Sequence, residues 1–92
     1  MKRIFKYPLV VQGITTIEMP KGARVLAVQP QYNKLQVWAL INDSEKELEV
    51  HSFYTFGTGK EVTVDLDKCT YIGTYQLLDG AFVGHLYESI AR

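Results

Sequence analysis

Along most of the chain, apolar and polar positions alternate in short runs separated by turn-forming residues. A period of two places successive side chains on opposite faces of a strand. "RIFKYPLV" (3–10) mixes Ile4, Phe5, Tyr7, Leu9 and Val10 with cations, and Pro8 has no N–H to give to a ladder, which suits an edge strand. "GITTIEM" (13–19) is dense in β-branched residues. "PKGA" (20–23) predicts a turn in which Pro20 sets φ and Gly22 takes a positive φ. "RVLAVQ" (24–29) is a continuous apolar run, as expected of a strand buried on both faces. "PQYNK" (30–34) turns the chain back into "LQVWALI" (35–41), a predicted hairpin.

"NDSEKE" (42–47) is a polar loop. In "LEVHSFYTF" (48–56), Leu48, Val50 and Tyr54 alternate with Glu49, His51 and Phe53, which predicts a strand with one partly wet face. "GTGKEVTVDLDK" (57–68) is irregular and acidic. "CTYIGTYQL" and "AFVGHLYE" flank "LDG" at 78–80, a second predicted hairpin with Gly80 at positive φ. No segment supports a helix of more than a turn or two. The expected fold is all-β: one domain over 1–92, a small antiparallel β-sandwich or partly open barrel of six to seven strands. "LQVWALI" is apolar on both faces, Leu35, Val37, Ala39 and Ile41 on one and Trp38 and Leu40 on the other. Such a strand is central to two layers or faces another subunit.

Composition narrows the class. A chain of 92 residues, 47% apolar and 12% aromatic, is globular with a modest core. Oligomerisation commonly supplements a core of this size. Net charge is zero, which argues against a nucleic-acid or membrane partner. The charge is uneven, however. Residues 1–34 carry six cations (Lys2, Arg3, Lys6, Lys21, Arg24 and Lys34) against Glu18 alone, whereas 35–92 carry four cations against nine acids. The plain expectation is that these charges intermix on the folded surface; the sharper one is a two-signed surface that pairs with another copy or a complementary partner. The single cysteine, Cys69, has no internal partner, and no signal segment or apolar span is visible, so a cytoplasmic protein is expected.

The residues with chemical potential do not converge on an enzyme. "YTFGTGKEV" has Gly59 and Lys60 in order for a phosphate loop, but Tyr54 stands where its first glycine belongs and Glu61 where Ser or Thr should ligate magnesium. The glycines then form a turn or, alternatively, a nest of amides that cups an anion with help from Lys60. His51 and His85 are isolated in sequence and fit half-buried hydrogen-bonding roles; no metal or triad spacing exists. Glu45, Glu47 and Glu49 share one face if extended, as do Asp65 and Asp67, and both sets fit solvated faces. The many tyrosines exceed what so small a core easily buries, which fits a binding surface.

The order "KYPL" (Lys6–Leu9), "MPKGA" (Met19–Ala23), "WAL" (Trp38–Leu40), "GTG" (Gly57–Gly59), "YIGT" (Tyr71–Thr74) and "HLYE" (His85–Glu88) resembles a family of small bacteriophage and prophage proteins across nearly the whole chain. Lys60 stands where that family often has a histidine. The resemblance implies no particular activity. It implies a phage setting, in which small proteins act by blocking a host defence protein or sequestering a nucleotide signal. The expectation is therefore a non-enzymatic, homo-oligomeric counter-defence protein of the host cytosol, without metal or cofactor. Its ligand is small, anionic and nucleotide-like, lined by Gly57, Thr58, Gly59 and Lys60, with Tyr54 or Phe56 as a flat face and Arg24 joining from a neighbouring strand or subunit. Direct inhibition of a host defence complex, or a structural role in phage, is the alternative.

Overall fold

A computed structural model describes residues 1–90; Arg92, one of the counted cations, lies outside them. The seven strands are β1 (Lys2–Pro8), β2 (Gly13–Pro20), β3 (Arg24–Gln31), β4 (Lys34–Asn42), β5 (Leu48–Gly57), β6 (Cys69–Leu77) and β7 (Phe82–Ser89). They form two antiparallel sheets, ordered β1-β4-β3 and β2-β5-β7-β6. The sheets pack face to face, chiefly β3 on β6, and do not close into a barrel, so of the two predicted architectures the sandwich is the one formed. Among the described residues there is no α-helix, only 3-10 turns at Leu66–Lys68 and Leu78–Gly80, and no helix long and apolar enough to cross a membrane.

The core is the layer between the sheets. Leu35, Val37, Ala39 and Ile41 of β4 face Met19, Phe53, Leu86, Tyr75 and Leu77 of the other sheet. Two glycines make room for neighbouring side chains, one within a sheet and one between the sheets. A Cβ on Gly84 would lie 2.3 Å from the Tyr75 ring, its cross-strand partner, and one on Gly73 would lie 2.9 Å from Val28 of the opposite sheet. The Tyr75 hydroxyl donates to Val11 O at 2.7 Å, and burial pushes its ionisation upward.

Both predicted hairpins form. Tyr32 and Asn33, at φ 53° and 60°, make a two-residue turn between β3 and β4. Leu78–Gly80 joins β6 to β7, and Gly22 and Gly80 take φ of 86° and 89° as their turns require. β1 is the edge that Pro8 predicts, but its partner is β4 rather than the adjacent β2.

Three expectations change. "RVLAVQ" is not buried on both faces: β3 is an edge strand, and a register shift between Val25 and Ala27 leaves Leu26 43% exposed. An inserted residue reverses which side chains face inward, so an unbroken apolar run overstates burial. In β5 the inward set is His51, Phe53 and Thr55, and the apolar-looking Leu48 and Val50 are exposed. Glu45 and Glu47 precede β5 and are not in a strand, and Asp65 and Asp67 sit at the 3-10 turn, where Asp65 caps the Asp67 N–H, so neither pair shares a strand face.

Candidate functional site

The glycine loop is a tied-down turn. Lys60 N–H donates to Gly57 O at 3.1 Å and Thr58 N–H to Val83 O at 2.9 Å, so two of its amides are already bonded within the chain. Gly59 is at φ 84°, and a Cβ on Gly57 would press on the Phe82 ring at 3.3 Å. Turn geometry and packing thus explain both glycines. The Thr58 hydroxyl lies 2.7 Å from His85 Nε2, His85 Nδ1 lies 3.0 Å from the Thr74 hydroxyl, and Thr74 meets the Tyr71 hydroxyl at 2.5 Å. This chain of four polar side chains pins the loop to β6 and β7. Tyr54 and Phe56 flank it on the outward side of β5, with Phe56 edge-on to Tyr87. Lys60 is exposed.

Arg24 does not join them. Pro20 pairs with Leu48 at one end of β5, and the glycine loop lies at the other, about 30 Å away at the rise of a strand. Arg24 follows the Pro20 turn onto β3, in the opposite sheet. Within one chain the predicted lining is therefore divided between two ends and two sheets.

Arg24 belongs instead to a second constellation. Because odd-numbered β4 residues point into the core, the even-numbered ones and their cross-strand partners form the outer face of β1-β4-β3. Its rungs read Lys2–Asn42, Ile4–Leu40–Arg24, Lys6–Trp38–Ala27, Pro8–Gln36–Gln29 and Lys34–Gln31. Four cations occupy these positions without a carboxylate, and among the described residues none of the four makes an ion pair. The other N-terminal cations are neutralised at the rim: Arg3 bonds Asp43, holding its carboxyl below the ordinary carboxylate range, and Lys21 lies 3.3 Å from Glu47. The charges have therefore not intermixed on this face. A depression of about 170 Å³ opens between Lys2 and Arg24, lined also by Gly22, Leu40, Ile41 and Asn42. Lys6 reaches across β4 to the Gln31 side-chain oxygen, and the half-buried Trp38 has an indole N–H without an acceptor.

Residues 1–92 match the family model described as Domain of unknown function (DUF7352). The chain belongs to this family. No curated protein and no solved structure matches it.

One further cluster escaped the sequence. His51 is neither isolated nor half-buried: it is fully enclosed, its Nδ1 2.5 Å from Glu88 Oε2 and its Nε2 3.3 Å from Glu49 Oε2, the latter not aligned as a hydrogen bond. Glu49 also accepts from the Gly22 amide, so it links the β2–β3 turn to the core. The available signal was the phase of β7, where Glu88 shares the inward side with Gly84 and Leu86. This arrangement clasps β5 to β7. Its two ring nitrogens face different carboxylates, and no group among the described residues could hold a metal ion.

Proposed function

We propose that this protein is a non-enzymatic binding protein that sequesters a small, anionic, nucleotide-like ligand. The ligand lies on the outer face of β1-β4-β3, with a phosphate between Lys2 and Arg24. The observation that carries this reading is the grouping of four unpaired cations, free of carboxylates, around the apolar positions Ile4, Trp38 and Leu40. Charge-assisted contacts from lysine and arginine suit phosphate, and the open site suits a ligand held at a surface. The phage setting implied by the resemblance supplies the context, a counter-defence role in the host cytosol. The glycine loop becomes the control, because its Thr58 and Lys60 amides are engaged and Arg24 is remote. Calorimetry with a panel of cyclic and linear nucleotides tests this. Arg24→Glu is expected to weaken binding by about 1–3 kcal/mol and Lys60→Glu to leave it within about twofold. Binding lost in Lys60→Glu alone would return the site to the loop, and no binding by the wild type would remove the reading.

A second copy is the partner we propose for the outer face of β2-β5-β7-β6. Its strand positions expose Ile14 (62%), Leu48 (59%), Val50 and Tyr71 beside Tyr54, Phe56 and Tyr87, with Glu18 the one charged residue of fixed sign. A nearly uncharged face can meet itself across a two-fold axis without like-charge repulsion, which the cationic face cannot. Sedimentation at micromolar concentration should show a dimer that Val50→Glu dissociates; a monomeric wild type would refute it.

A further inference from the structure

We infer that the cationic face also takes a single-stranded nucleic acid, of which a nucleotide in the Lys2–Arg24 depression is one unit. This rests on the placement of an anion on that face and concerns how far the ligand extends. The cations form a track, not a cluster. Lys2 stands at the Asn42 rung, Arg24 at Leu40, Lys6 at Trp38, and Lys34 is itself the last rung, eight residues from Asn42. At the rise of a strand the track is about 27 Å long. A single nucleotide in the Lys2–Arg24 depression would leave Lys6 and Lys34 without a phosphate. A chain with one phosphate per nucleotide engages all four.

The uncharged positions between the cations match the bases of such a chain. Trp38 presents a half-buried ring at the centre of the track, flanked by Ile4 and Leu40. Gln29, exposed beside the track, supplies an amide that both donates and accepts, as base edges do, whereas Gln31 already accepts from Lys6 and Gln36 is buried. Beyond Lys34, Tyr32 is 92% exposed at the hairpin tip with φ 53°. Asparagine or glycine is the residue that this turn favours, and a tyrosine there is strained without any packing to hold it. An exposed ring at the end of a cationic track is a second surface for stacking. Cationic grooves with aromatic platforms are how sheet proteins hold single strands without sequence preference. The zero net charge that argued against nucleic acid is an average over a segregated surface.

Trp38 is the chain's one tryptophan, so its fluorescence reports on this face directly. The probes are a mononucleotide, mixed-sequence single strands of up to about 12 nucleotides, within the span of such platforms, the matching duplex, and inorganic polyphosphate. Affinity is expected to rise with length over the first few nucleotides, with quenching of Trp38. Four phosphate contacts predict a log–log salt slope of about −3. Lys34→Gln should lower that slope by about 0.7. Tyr32→Asn, which relieves the turn, should weaken the single strand about tenfold and the mononucleotide not at all. A mononucleotide that binds as tightly as the longest strand overturns this inference and leaves the proposed function standing. Failure of every nucleotide overturns both. Equal binding of duplex or polyphosphate, with Trp38 unquenched, shows adhesion by charge alone and also overturns it.

Discussion

The two outer faces of the sandwich are built on one core yet differ in kind. The face of β1-β4-β3 carries Lys2, Lys6, Arg24 and Lys34 around one tryptophan. The face of β2-β5-β7-β6 carries Tyr54, Phe56, Tyr71 and Tyr87 with exposed Ile14, Leu48 and Val50, and a hydroxyl–imidazole chain at the glycine loop. Outward positions contribute little to folding, so packing does not dictate their chemistry. A solvated sheet would mix charge of both signs on each face. Here the cations and the aromatics are sorted by sheet, and the partners we propose for the two faces differ accordingly: a polyanion on one side, a second copy on the other.

The strongest way to break the comparison is to damage the core that both faces share. Gly84→Ala would drive a methyl into the Tyr75 ring, displacing it from the Val11 carbonyl. The expected loss is about 3 kcal/mol, read as a lower denaturation midpoint, with binding and self-association lost together. An unchanged midpoint would mean that Tyr75 does not cover Gly84. Slightly smaller is Glu88→Ala, which leaves the His51 ring enclosed without its carboxylate. A cost of about 2–3 kcal/mol is expected, and Glu88→Gln should recover part of it.

The faces separate once single outward residues are exchanged. Arg24→Glu should cost about 1–3 kcal/mol of ligand binding and less than about 0.5 kcal/mol of stability, while the dimer persists. Val50→Glu should do the reverse, abolishing the dimer and sparing the ligand. If either variant removes both properties, the faces are coupled and the division between them fails. The smallest effect lies at the rim. Arg3 depresses the Asp43 ionisation in the folded state, so this pair's stabilisation is present above the ordinary carboxylate pKa and fades as pH falls through the folded value. Asp43→Asn should therefore match the wild type in acid and fall slightly below it near neutrality, a difference that salt reduces. A gap that widens in acid would contradict the assignment.

Much of the fold was legible. The β3–β4 and β6–β7 hairpins follow from local turn chemistry, the β1 edge from Pro8, and the positive φ of Gly22 and Gly80 from their flanking runs. The site was less so. The glycine pair drew attention because phosphate loops use such residues, but the Thr58 and Lys60 amides beside it donate to the Val83 and Gly57 carbonyls. The cationic face is spread over three strands, from Lys2 to Asn42, and no local motif records it.

What the sequence determined by itself is local: strand period, turns, edge character and the imbalance of charge between its first 34 residues and the rest. Those depend on neighbours a few positions apart. The tertiary structure decided which strands pair, and so where that charge goes. β1 crosses to β4 and β2 to β5, and the bulge between Val25 and Ala27 shifts the register of β3. The inward set of β5 is chosen by the partners it meets, which is why His51 lies inside and Val50 outside. Alternation tells only that two faces exist. Which of them is buried depends on the sheet packed against it, a contact between residues far apart in the chain.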